Sequence, residues 1–375
     1  MNNTGGQHIQ DEISTSLALL INSKNIVSHE ILQASYDYSE VYQSAIKNGV
    51  VGLIHQNAHN LIEIPLLVEQ INNYYKNYKV LNSFIDHEAT NVLIELQKKH
   101  IDVVVLKGFS LAKQVYSEPA IRPKTDIDII IKENDSEKVK EFFLSRGYIN
   151  PRGWEPKAII NQFSYKKELG KGINVYFDIH LKISNSKPIE NILNYNELLK
   201  TANTEAITGI NLVNKPYALI HAAFHLLGHK SAGDMVKLIW YYDIHLLLKT
   251  LTENDKEALL TIIQKTGLAN IISHTLNLTT QFFASTQATD LLHKVKGIPF
   301  DSNYDYLLGN SSGVKGLLLT LKATKGLREK VDVIKETVLP PAAEIYVKYG
   351  KNTKWPLSIL YLRRLISGTV KHLKK

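Results

Sequence analysis

The sequence contains no cysteine. That absence excludes disulfides, thiolate nucleophiles and cysteine-ligated zinc, while leaving the compartment open. No apolar run approaches the roughly 18 residues needed to cross a bilayer. The opening residues, MNNTGGQHIQDEIS, lack the basic start and apolar run of a signal peptide, so a cytoplasmic protein is expected. No regular βαβ repeat runs through the chain, and this points to a small mixed sheet carrying helices. What remains is an ordinary globular composition, 44% hydrophobic and 21% charged over 375 residues, enough for two or three domains.

The net charge of +8 is unevenly spread. Residues 311–375 hold 14 Lys or Arg against 4 Asp or Glu, a local balance of +10, and the rest of the chain sums to −2. A basic segment of this kind attracts nucleic acid, anionic lipid or an acidic substrate, or simply solvates a helix face.

Apolar residues recur at helical spacing through residues 12–99: Leu17, Leu20 and Ile21, then Val41, Ala45, Val50 and Leu53, then a stripe from Leu81 to Leu96. Tyr74, Tyr75 and Tyr78 lie between stripes and read as core, with a pocket floor as the alternative. Strands are expected at 101–106, 127–131, 163–166 and 174–183, and a helix at 136–146 stopped by Gly147. From Pro216 onward the pattern is helical again. His221, His225 and His229 share one helix face, but no Glu follows the first of them, so a partly buried histidine face is preferred to a zinc site, with the lining of a substrate pocket as an alternative. Asp243 sits in the apolar run 238–248 and needs a buried partner. Pro356 opens a last amphipathic helix, which is expected to pack on the body and is also of the type that lies on a membrane. The expected division is 1–99, an N-terminal helical region; 100–200, an α/β core; and 201–375, a C-terminal helical domain with a basic tail. The fold class is α+β.

The chemistry concentrates in residues 103–131, VVVLKGFSLAKQVYSEPAIRPKTDIDIII. A strand breaks at Lys107-Gly108, a short helix is expected over 110–116, and a basic loop leads to a second strand with Asp126 and Asp128. Side chains two apart on a strand project together, so the two carboxylates repel unless a cation lies between them. Oxygen-only donors suit Mg²⁺ or Mn²⁺. A strand-end turn or a solvated edge is the bland alternative for Asp-x-Asp. The turn at Gly108 brings a helix amino terminus, a natural phosphate cradle, towards the same place, with Lys107, Arg122 and Lys124 nearby. Asp178, on the alternating strand GINVYFDIHLKI, supplies a third acid on the face of Asn174, Tyr176 and His180.

These residues carry a resemblance. LKGFSLAKQVY, Arg122 and Asp126-Ile127-Asp128-Ile129 resemble the motifs of the nucleotidyltransferase superfamily that includes DNA polymerase beta and the aminoglycoside nucleotidyltransferases. More closely, the chain looks like the family called uncharacterised nucleotidyltransferases, through Asp178-Ile179-His180, the His221 and His225 helix, Tyr242-Asp243 and the Tyr361-Leu362-Arg363-Arg364 run. It departs from the superfamily in the turn, where Gly108 is followed by Phe109 and Ser110 and precedes Asp126 by 18 residues.

The resemblance implies a small mixed-sheet core, a metal held by Asp126, Asp128 and Asp178, and ATP or another NTP as donor. Lys107, Gly108, Ser110, Arg122 and Lys124 would bind the phosphates, and an NMP would pass to a small-molecule or peptide acceptor. A non-catalytic nucleotide-binding module and an RNA-modifying transferase are the alternatives. No aromatic-basic interleaving marks an RNA platform, so nucleic acid ranks lower.

Overall fold

Val103, Val104 and Val105 are β-branched and buried, and they form β1 (Val103–Val105) near the middle of a six-stranded sheet. The computed structural model describes residues 4–22, 38–60, 64–151, 153, 159–309, 313–340, 342–350 and 355–364. The other strands are β2 (Ile127–Ile131), β3 (Gln162–Glu168), β4 (Asn174–His180), β5 (Asn203–Thr204) and β6 (Asn211–Leu212). Their order is β3-β4-β2-β1-β6-β5. The β2–β4 and β1–β6 pairs are parallel, while β1–β2, β3–β4 and β5–β6 are antiparallel.

Among the described residues, four α-helices precede the sheet: α1 (Thr4–Asn22), α2 (Tyr38–Asn48), α3 (Val51–Gln56) and α4 (Pro65–Lys98). Within it lie α5 (Lys107–Gln114), α6 (Ser136–Ser145) and α7 (Tyr195–Lys200). A helical region follows: α8 (Lys215–Ala232), α9 (Leu238–Thr250), α10 (Glu253–Thr266), α11 (Ala269–Thr280) and α12 (Thr286–Val295). Then come α13 (Gly313–Ala323), α14 (Leu327–Val338) and α15 (Ala342–Tyr349). The chain is therefore α+β, with helices flanking a six-stranded mixed sheet. Among the described residues no helix is long and apolar enough to cross a membrane.

Alternation along the strands sorts the side chains into two layers. Ile127, Ile129 and Ile131 of β2 join Val175, Phe177 and Ile179 of β4 in one cluster. The same cluster takes in Leu93 and Leu96 of α4 and Phe142 and Phe143 of α6. Val104 and Ile130 face the other way, into a larger cluster that runs from Leu17 through Ile54 and Ile71 to Leu219, Ile244 and Leu307. This second cluster draws on all three regions expected from the sequence. Asp128 and His180 share the parity of Ile130, so they emerge under α8.

The helix after β1 starts three residues earlier than its apolar pattern predicts. Lys107 adopts φ 44°, in the left-handed region, and this turns the chain straight from Leu106 into α5. The two-residue strands β5 and β6 carry no periodic signal and escape sequence reading.

The loop before β2 is seated by α3. A Cβ placed on Gly52 would lie 2.6 Å from the Ile121 carbonyl oxygen and 2.9 Å from its Cα. Backbone cannot yield as a side chain can, so Gly52→Ala is expected to cost about 1–3 kcal/mol in denaturant unfolding. The same substitution should displace the loop that carries Arg122.

Candidate active site

The parallel pairing of β2 with β4 sets Asp128 opposite Asp178, which places the two acids on one face. Asp126 lies two residues before Asp128, just outside the strand and half-buried. Asp128 is buried and its Oδ1 accepts from Lys107 Nζ at 2.7 Å. His180 Nε2 lies 2.9 Å from the same oxygen, a hydrogen bond that requires the proton on Nε2. Across the β3–β4 pair, Ser164 Oγ donates to Asp178 Oδ1 at 2.5 Å.

Charge dominates this cluster. Burial raises the Asp128 carboxyl, but Lys107 and His180 outweigh it and hold the group well below the usual carboxylate range. Burial alone would lower Lys107; the field and hydrogen bond of Asp128, then the charges of Asp126 and Asp178, raise it instead. One ammonium is thus shared by three carboxylates. Asp126 is left over: burial first, then the charges of Asp128 and Asp178, push it up to about 7 from an ordinary 3.8.

The sign of that shift gives a stability prediction. The folded chain keeps the Asp126 proton up to about pH 7, and the unfolded chain releases it near pH 4, so stability falls as pH rises through this window. Asp126→Asn is therefore expected to stabilise the metal-free protein at pH 8, by no more than about 4 kcal/mol, with the gain vanishing towards pH 4. Urea unfolding at the two pH values measures it. An equal effect at both would show that the like charges are not felt.

The acids open on a cavity of about 360 Å³. Lys107, Gly108, Arg122, Lys124, Asp126 and Asp128 line one part of it. Tyr74, Tyr75 and Tyr78 of α4 and Gly49 and Val51 line a second part, and His221, His225, Lys237, Trp240 and Asp243 a third. The tyrosines read as core are thus a pocket wall as well; Tyr75 is buried, and the Tyr78 hydroxyl accepts from the Lys124 backbone N–H at 3.0 Å. Ser110 and Asp178 are not among the lining residues. Ser110 is fully buried and its hydroxyl accepts from Gln114 Nε2 at 2.8 Å, so its side chain is turned away from the cavity.

Like Lys107, the other two basic residues expected to meet phosphate already have carboxylate partners. Arg122 Nε and Nη2 donate to Asp243 at 2.8–3.1 Å, and Nη1 donates to the Pro123 carbonyl. Tyr116 Oη adds a bond of 2.7 Å to Asp243. This is the partner that the apolar α9 sequence demanded for its acid. Lys124 Nζ lies 3.0 Å from Asp86 of α4. Lys107 and the amino end of α5 remain the basic elements closest to the acids. A Cβ on Gly108 would make only ordinary contacts with Lys124 and Arg122, so its bare backbone faces the cavity without being forced by crowding.

His221 and His225 were marked by their i, i+4 spacing, and the structure sets them above the acids. Burial, then the charges of Lys107 and His180, push His221 down to about 3. His225 is lowered well below its ordinary value, first by burial and then by Lys107. Both imidazoles are neutral near pH 7. The His225 ring packs edge-on against Trp240 at 4.4 Å. His180 has no role assigned by the sequence pattern; its place two residues after Asp178 is the signal that marks it.

Oxygen donors with surplus negative charge fit a hard divalent cation in chemistry. As the side chains stand, they close on Lys107: among the described residues no three His, Asp or Glu groups gather tightly enough to hold an ion. Asp126 and Asp128 share one cavity with Lys107 and the amino end of α5, and Asp178 lies beside Asp128 on the adjacent strand. The family model described as "Uncharacterised nucleotidyltransferase" matches residues 34–284, and the chain belongs to that family. Its name indicates a nucleotidyltransferase, hence a transferase with a nucleotide substrate. No curated protein matches the sequence.

Proposed function

We propose that the chain transfers a nucleoside monophosphate, with AMP from ATP as first candidate, to a hydroxyl or phosphate of a small-molecule or peptide acceptor, releasing pyrophosphate. The observation that carries this reading is the shared face of Asp128 and Asp178 on adjacent parallel strands, with Lys107 drawn in among the acids. Asp126, Asp128 and Asp178 would hold Mg²⁺ or Mn²⁺, after side-chain turns that free Asp128 from Lys107. When bound, such an ion neutralises triphosphate charge and polarises the attacked phosphorus.

The remaining work falls to the chain itself. Lys107 and the backbone N–H groups opening α5 bind the phosphates. Arg122 fixes the loop between α5 and β2 by its fork on Asp243, and Lys124 adds positive charge to the same wall. The acceptor oxygen bonds to the α-phosphorus, the bond to the pyrophosphate oxygen breaks, and the departing group keeps the electron pair. Asp178 would take the acceptor proton, with Ser164 orienting its carboxylate.

The test is a screen of the four labelled NTPs with Mg²⁺ or Mn²⁺ for pyrophosphate release across hydroxyl and phosphate acceptors. Release that stops in excess EDTA and returns with either metal is expected. Tight nucleotide binding without release from any acceptor would mark a binding module instead.

A further inference from the structure

α14 is turned inside out. Glu329, Glu336 and Val333 hold it to the body. Glu329 accepts from Lys187 Nζ at 2.9 Å, and the Glu336 carboxylate accepts from the backbone N–H groups of Ile159 and Ile160 at 2.9 and 3.3 Å. Val333 is the one α14 residue of its apolar set that is buried. On the far side Leu327 is 84% exposed, Val331 44%, Ile334 43% and Val338 37%. These four stand at i, i+4, i+7 and i+11, a straight stripe about 60° wide at 3.6 residues per turn. The same geometry sets Arg328 and Lys335 along one edge of the stripe and Lys330 along the other.

Two further leucines near the end of the helix are exposed. Leu339 is 59% exposed, and Leu362, on the segment after Pro356, is 58% exposed. That segment is tied to the end of α14 by Arg364 Nη1 donating to the Thr337 carbonyl at 2.7 Å and by Tyr361 Oη donating to the Pro340 carbonyl. An exposed apolar band this long marks a binding face.

We propose that this face seats the protein on an anionic membrane surface. The leucine, valine and isoleucine side chains enter the boundary between headgroups and acyl chains, and the flanking Arg and Lys reach lipid phosphates. Charge selects this occupant. Arg328, Lys330 and Lys335 flank the stripe, so two copies meeting face to face would set like charges against one another along its edges. A nucleic acid would answer the cations but leave the apolar band in water. The contact is peripheral and lies apart from the carboxylate cavity, so it stands or falls independently of the transferase reading.

The experiment is sedimentation of the full chain with vesicles of phosphatidylcholine, alone or with about one-third phosphatidylglycerol. Binding to the mixed vesicles and little to the neutral ones is expected. Leu327→Glu with Val331→Glu should weaken that binding about tenfold or more, since both side chains are exposed and their exchange leaves the core intact. Arg328→Gln with Lys335→Gln should reduce the preference for anionic lipid, and circular dichroism checks that each variant is folded. No binding to anionic vesicles would overturn the proposal. So would binding untouched by the double Glu change, a dimer in solution that the same change dissolves, or RNA binding that it abolishes.

Discussion

Asp128→Asn is expected to lower metal-dependent pyrophosphate release by about three orders of magnitude, with little change in nucleotide affinity. Asp128 is where the cluster converges: its Oδ1 takes both Lys107 and His180, and it faces Asp178 across β2 and β4. An amide keeps the shape and can still accept both hydrogen bonds, but it withdraws the charge. Asp128→Ala is the harsher change, because it removes the buried acceptor shared by Lys107 and His180, at a cost of about 1–3 kcal/mol. The two variants together separate chemistry from folding. Single-turnover rates and urea unfolding should show Asn crippled but folded and Ala crippled and unstable. A rate within tenfold of the unaltered chain for Asn would end the assignment of Asp128 to the reaction.

Asp243→Ala should be the most damaging change outside the acid cluster, by about 3–5 kcal/mol of folding stability. It leaves the buried Arg122 fork and the Tyr116 hydroxyl facing no acceptor. It also releases the loop that joins α5 to β2, so activity should fall even where the protein stays folded. The double change Arg122→Met with Asp243→Leu removes both charges and is expected to recover most of the lost stability without recovering activity. Denaturant midpoints for the single and double variants decide this. Additive losses would mean that the pair is not coupled.

Much of the core was legible because its signals are local. The alternation of Ile127, Asp128, Ile129 and Ile130, and of Phe177, Asp178, Ile179 and His180, predicts two strands with their acids on one side, and both strands are found. Gly147 after α6 and the Asp243 requirement were equally readable. The start of α5 was not, because a lysine in the left-handed region leaves no compositional trace. Ser110 read as a phosphate contact from its place after the turn, but its phase on α5 turns the side chain inward. Tyr74 and Tyr78 were ambiguous because helical spacing shows that a face is covered without showing whether by core or cavity.

Sequence alone determined which side chains share a face, since that follows from the repeat of the backbone within a few residues. It also determined that the acids, Lys107 and the histidine helix would carry the titratable groups singled out as candidates. Tertiary structure decided the partners. Lys107 and His180 meet on Asp128 from 21 and 52 residues away, Arg122 finds Asp243 across 121, and α4 supplies a pocket wall. Such pairings depend on how layers stack and which buried charges must be neutralised together, and no short-range pattern encodes them.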